Sequence, residues 1–222
     1  MIDTPERIRV WDLPTRLFHW VLTAMVVFSF TTGKLGGEWL EWHFRSGYVI
    51  LSLLLFRLFW GFAGSYYARF KNFVPSPARI WRTLQSTDTA PPSVNAGHSE
   101  IGTISVYALL LVLLAQGLSG LFSNDGTFNE GPWVRWVSEA TSNRLSALHY
   151  YNHWLMVALV AVHVAAIAFY LLIRRQDLIT PMLTGDKLGV AAPAAEDGSA
   201  IRLRAIALAG LAVAIVYFLV IL

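Results

Sequence analysis

The sequence predicts an all-α integral membrane protein, a four-helix bundle followed by a fifth apolar helix toward the C-terminal end. Three observations carry that prediction. Of 222 residues, 55% are hydrophobic and 14% charged, with a mean hydropathy of +0.51, too apolar for a water-soluble domain of this size. The apolar residues gather into five runs, each near the length of roughly 20 residues that a helix needs to cross the hydrocarbon. The cationic residues collect on alternate connections, as positive-inside sorting requires.

The first run covers 13–32, and Gly33, Gly36 and Gly37 supply a break after it. The second covers 42–63. A polar, proline-rich connection follows from 64 to 102, with a short amphipathic helix expected near 78–84. The third run covers 104–122 and leads into a second long connection, 123–146. The fourth, 148–174, ends on Arg174-Arg175. A polar tail spans 176–200, and the last run, 205–222, is just long enough to span. The division expected is 1–175 as the bundle, 176–200 as a cytoplasmic tail and 201–222 as a terminal transmembrane helix.

Orientation follows from counting Lys and Arg. With the N-terminus inside, twelve lie on inner segments: Arg7, Arg9, Arg16, Arg69, Lys71, Arg79, Arg82, Arg174, Arg175, Lys187, Arg202 and Arg204. Four lie outside, Lys34, Arg45, Arg135 and Arg144. This places the N-terminus in the cytoplasm of a multi-pass protein of the bacterial inner membrane, with 123–146 outside. The polar opening MIDTPERIRV shows no cleavable signal peptide.

The absence of cysteine excludes disulfides, protein-bound iron–sulfur clusters, thiolate catalysis and covalent haem attachment. A redox cofactor must then be held by His, Met or non-covalent contacts. Paired carboxylates in the spans, a phosphate-cradling glycine loop and a zinc motif are all missing, and nothing points to nucleic acid.

Ionisable side chains are costly in hydrocarbon and mark function or buried pairing. His149 and His163 are fourteen positions apart, which returns them to nearly one helical face roughly 21 Å apart along the axis. Given the orientation, His19 falls in the inner half of span one and His43 at the outer start of span two, while His149 is outer and His163 inner. Two layers result, His43 with His149 and His19 with His163, each drawn from two helices. That is what bis-histidine ligation of two b-type haems between packed helices requires. The alternative is that each histidine hydrogen-bonds a neighbouring helix. Gly47, one turn after His43, and Gly117 and Gly120 offer flat surfaces to a macrocycle. Arg57 lies fourteen after His43, at the depth of the inner pair, where it either meets haem propionates or snorkels to the interface. Arg16 serves the same propionates or the positive-inside rule.

The segments RLFHW at 16–20, HFRSG at 43–47 with Arg57, QGLSGLF at 116–122, and His149 with His163 resemble the prokaryotic cytochrome b561 family, which includes nickel-hydrogenase-type b cytochromes. The likeness runs to about Gly185. It implies four helices holding two non-covalent b haems, with His19, His43, His149 and His163 at the ligand positions, Gly47 as the close-approach glycine and Arg57 as the second-helix arginine. It further implies electron passage between a periplasmic redox partner and membrane quinone. The pieces GHSEIG (97–102), EGPW (130–133) and TPMLTG (180–185) resemble a subgroup whose partner is often a c-type cytochrome. Tyr150 stands where some members carry glutamate. His153 has no counterpart and offers an alternative to His149 as outer ligand. His98, in the inner loop, reads as structural or as a propionate or quinone contact.

Bis-imidazole ligation leaves no open coordination position, which favours electron relay over chemistry at the metal. The expected function is therefore a di-haem, quinone-linked electron carrier acting as a membrane subunit, with lipid, quinone and a c-type cytochrome or hydrogenase-like subunit as partners. As an enzyme it would be a quinone oxidoreductase. An alternative is superoxide-to-ubiquinone oxidoreduction, for which the outer charges are insufficiently basic. A third, a histidine-lined transporter, is separated from both by the presence or absence of a b-type optical spectrum.

Overall fold

The computed structural model describes residues 7–78, 81, 85, 96–127, 129–188 and 192–221. The elements in chain order are β1 (Arg7–Arg9), α1 (Leu13–Leu35), α2 (Leu40–Ala63), α3 (Glu100–Leu121), α4 (Glu139–Leu172), α5 (Ile179–Thr184), β2 (Asp186–Leu188) and α6 (Ser199–Ile221). Five of these helices are long and apolar enough to cross a membrane. The amphipathic helix expected near 78–84 lies largely outside the described residues.

Local chemistry sets the helix ends. Asp12 caps α1 by accepting from the Thr15 N–H at 2.6 Å, with proline in the first turn, and Ser99 and Ser138 cap α3 and α4 in the same way. Gly36, at φ 65°, closes α1 as one of the three expected break glycines, while the helix runs through Gly33 and ends at Leu35, three residues beyond the expected 32. The fourth span also begins earlier than expected. α4 starts at Glu139 and runs for 34 residues, about 51 Å, longer than the roughly 30 Å of hydrocarbon. Its first turns are polar, Glu139 to Arg144, so apolar periodicity alone could not register them.

α1 packs along α2, α3 along α4, and α2 also meets α3, so two hairpins share one seam. The bundle's middle is an apolar layer in which Ile50, Leu54, Leu113 and Met156 are buried, packed against Leu22, Met25 and Val26. Ile50 lies midway between His43 and Arg57, and Met156 midway between His149 and His163. The two histidine layers therefore stand on opposite sides of this apolar floor.

α6 is a full member of the bundle. Its Ile201, Ala205 and Ala212 enter one cluster with Phe18 of α1 and Phe56 and Trp60 of α2. Arg204 donates to the Ala63 carbonyl at 3.1 Å, and Trp133 Nε1 donates to the Leu219 carbonyl at 2.6 Å. The polar stretch after α4 is folded as well: β2 pairs antiparallel with β1, and the Gly185 carbonyl accepts from Val10 and Trp11. Asp197 gathers Arg9 at 2.6 Å, Arg202 at 3.4 Å and Arg16 at 3.9 Å. The face carrying β1 and β2 is called the basic face below. The connection between α3 and α4 forms the opposite face.

Candidate haem site

At the opposite face a cavity of about 450 Å³ lies between the two hairpins, with His43, Gly47, Gln116, Gly117, Gly120 and His149 in its wall. The imidazole rings of His43 and His149 face each other across it, centroids 6.0 Å apart and planes at 85°. Two metal–nitrogen bonds of about 2 Å plus two ring radii span about 6 Å, which the centroid spacing of these rings matches.

Each ring is held from behind by its Nδ1. His43 Nδ1 donates to the Ser29 carbonyl of α1 at 2.8 Å, and His149 Nδ1 donates to the Gln116 carbonyl of α3 at 2.9 Å. A carbonyl only accepts, so the proton stays on Nδ1 and Nε2 is left as the lone-pair nitrogen of each ring, the usual support of a metal-binding histidine. Gln116 is itself fixed: its Oε1 accepts from Asn152 at 2.7 Å, and its Nε2 donates to the His149 carbonyl at 3.1 Å and lies 3.2 Å from His149 Nε2.

Two glycines make room for the rings. A Cβ on Gly33 would stand 2.8 Å from His43 Nδ1, and one on Gly120 would stand 3.0 Å from His149 Cε1. Gly33, expected as a helix break, is instead the slot for a ligand ring. The signal was present: Gly33 lies fourteen after His19, repeating on α1 the spacing of His149 and His163 on α4. Gly47 lines the cavity and a Cβ there meets open space, as a flat surface against a macrocycle demands. A Cβ on Gly117 would meet Leu51, so that glycine serves helix packing as well. His153 also lines the cavity; its Nδ1 bonds the Tyr150 carbonyl of its own helix, and its Nε2 lies 3.2 Å from Lys34 Nζ of α1.

Toward the basic face, His19 on α1 and His163 on α4 are close enough to interact electrostatically, and His98 and Arg57 belong to the same group. His19 Nδ1 is buried without a hydrogen-bond partner among the described residues, as is His98 Nδ1. Such orphaned nitrogens are rare in a finished core and fit a missing partner. His98 rests between Trp11, centroids 4.7 Å apart, and Phe73, 5.0 Å apart. Burial first, then the neighbouring Arg57, His163 and His19 charges, lowers its pKa to about 3, so it is neutral at physiological pH. Arg57 is 4% exposed; its Nη1 donates to the Ala68 carbonyl at 3.1 Å and its guanidinium lies over the rings of Phe70 and Phe73. Arg16 donates to the Leu183 carbonyl and leaves its Nε buried and unpaired.

The profile of the prokaryotic cytochrome b561 family matches residues 10–185. This chain belongs to that family. Among curated proteins it is similar to a probable Ni/Fe-hydrogenase B-type cytochrome subunit of Azotobacter chroococcum mcd 1, 24% identical over 221 residues and covering 82% of this chain and 92% of the relative. The corresponding subunit of Azotobacter vinelandii is 26% identical over 228 residues with the same coverage. A probable Ni/Fe-hydrogenase 1 B-type cytochrome subunit of Escherichia coli K12 is 24% identical over 187 residues, 70% of this chain and 80% of the relative. No solved structure gives a significant match. As a prokaryotic cytochrome b561, the chain is a multi-pass membrane protein for electron transfer, and its b-type designation implies haem b. The residues fit that group. The imidazoles of His43 and His149 would hold such a group, which would supply a one-electron iron couple, and among the described residues no set of three His, Cys, Asp or Glu side chains forms a metal site of its own.

Proposed function

We propose that this chain is a di-haem cytochrome b that relays electrons across the bacterial inner membrane between a periplasmic redox partner and quinone. The observation that carries the reading is the 6.0 Å approach of His43 and His149, with both Nδ1 atoms committed to backbone carbonyls of neighbouring helices. His19 and His163 are the matching pair on the other side of the apolar layer, roughly 21 Å away along the helices.

Haem b supplies a one-electron iron couple when bound. The protein's part is to hold both rings of each pair rigidly, to keep water from the apolar middle, and to place one site near each membrane face. His98 lies within electrostatic reach of Arg57, His163 and His19, and Arg16 stands one turn before His19 on α1; such cationic and neutral donors suit haem carboxylates or a quinone oxygen. The names of the similar proteins favour a Ni/Fe hydrogenase as the periplasmic partner, with a c-type cytochrome as the other candidate. At the opposite face Arg45 is paired with Glu41, and Arg135 lies over Trp136, so the surface charge is mixed. Mixed charge favours protein docking over capture of a small anion such as superoxide. The cationic asymmetry places the basic face in the cytoplasm.

The test is haem quantitation with optical redox titration of the purified protein and of His19→Ala and His43→Ala. The expected result is two haems per wild-type chain, with each variant losing a different one. Loss of neither haem, or the same loss in both variants, overturns the reading.

A further inference from the structure

Among the described residues, Lys34 is the sole Lys or Arg in the wall of the opposite-face cavity, and Asp125 is the sole acidic residue there. Asp125 is fully engaged by its own loop. Its Oδ1 accepts from the Thr127 N–H and hydroxyl, both at 2.8 Å, and its Oδ2 accepts from Asn129 Nδ2 at 2.6 Å. Among the described residues Lys34 has no carboxylate within ion-pair distance; the groups around it are neutral. His153 Nε2 accepts from its ammonium at 3.2 Å, and the rings of Phe30 and Trp154 lie with centroids 5.6 and 5.0 Å away. His153 must be neutral to accept, since its Nδ1 already donates to the Tyr150 carbonyl. The result is a single cation, aimed by an 8%-exposed histidine from the facing helix, at the edge of an apolar-walled cavity. It also adjoins Gly33, whose missing side chain admits the ring of His43.

We propose that Lys34 is the anchor for a carboxylate of the ligand held by His43 and His149, and that His153 is its positioning residue. This rests on the bis-histidine reading above and extends it: a b-type macrocycle carries carboxylates, and this site offers one cation to receive them. An ammonium in a poorly hydrated rim attracts such an anion more strongly than one in water. It also favours the more electron-rich state of the ligand, so its removal makes reduction harder. The Lys34–His153 contact joins α1 to α4 beside the site, so the same pair ties the open edge between the hairpins.

The experiment is a redox titration of the holoprotein, with haem content, for wild type, Lys34→Met, Lys34→Arg, His153→Gln and His43→Ala. Lys34→Met is expected to lower the midpoint potential, or the occupancy, of the haem that His43→Ala removes, leaving the other haem unchanged. Lys34→Arg should stay near wild type, and His153→Gln should shift the same midpoint in the same direction by less. If His43→Ala loses one haem but Lys34→Met leaves both midpoints and both occupancies at wild-type values, the anchor is overturned and the ligation stands. A shift confined to the haem removed by His19→Ala also overturns it. If His43→Ala keeps both haems, ligation and anchor fall together.

Discussion

The facing histidines of the proposed site, His43 and His149, are held by atoms of other helices. His43 leans on the backbone of α1 and His149 on the backbone of α3, so each ring is fixed by a carbonyl that substitution cannot remove. The vulnerable points are the positions that leave room for the rings. Gly33→Ala would place a methyl 2.8 Å from His43 Nδ1, an atom that cannot retreat without breaking its bond to Ser29. The expected outcome is loss of about half the haem, from the opposite-face site alone, with strain of about 1–3 kcal/mol. A pyridine haemochrome assay per mole of protein measures it, and full occupancy would contradict the account. At this scale the histidines and Arg57 were legible from cost alone, because charge in hydrocarbon demands a reason. Gly33, Gln116 and Lys34 were less so. A glycine near a helix end reads equally as a stop, and a terminal lysine reads as an interfacial cation.

Among the elements, α6 carries the largest difference between pattern and packing. Its apolar run is barely long enough to span, yet its small residues fit closely against α1 and α2, and Ala212 is completely buried. Ala212→Phe should overfill that seam at a cost of about 1–3 kcal/mol. The reading would be an earlier thermal bleaching of the Soret band in detergent, with haem stoichiometry at low temperature unchanged. An unaltered bleaching temperature would mean that α6 contributes little to holding the bundle. The basic-face segment tells a similar story. Asp12 caps α1 and also accepts from Trp60 at 3.2 Å and from Ser65, so one carboxylate ties the start of α1 to the end of α2. Hydropathy describes how apolar a run is; it does not state which neighbour fills its grooves.

For the whole molecule, the proposed pair of sites lies on either side of an apolar layer, and which site serves which compartment depends on which face looks inward. The cation count predicts that a reporter fused after 188, on the basic face, is active only if it works in the cytoplasm. One inserted near 126–130 should be active only if it works in the periplasm. Paired reporter fusions in cells check this, and the reverse result would invert the proposed electron path.

The number of spans, their lipid solvent, the absence of cysteine ligands and the fourteen-residue spacing of the histidines were all determined by sequence, because each follows from hydropathy, composition or helical period. The pairing of the imidazoles into layers follows from span order as well; how closely the paired rings approach was decided by tertiary structure. Ring separation depends on how close two helices approach, and that approach is set by side chains missing at Gly33 and Gly120 and by carbonyls of a third and fourth strand of the bundle. The same holds for Lys34 and His153, 119 positions apart in the chain and 3.2 Å apart in space: a periodic pattern describes one helix at a time, while their meeting belongs to the gap between two.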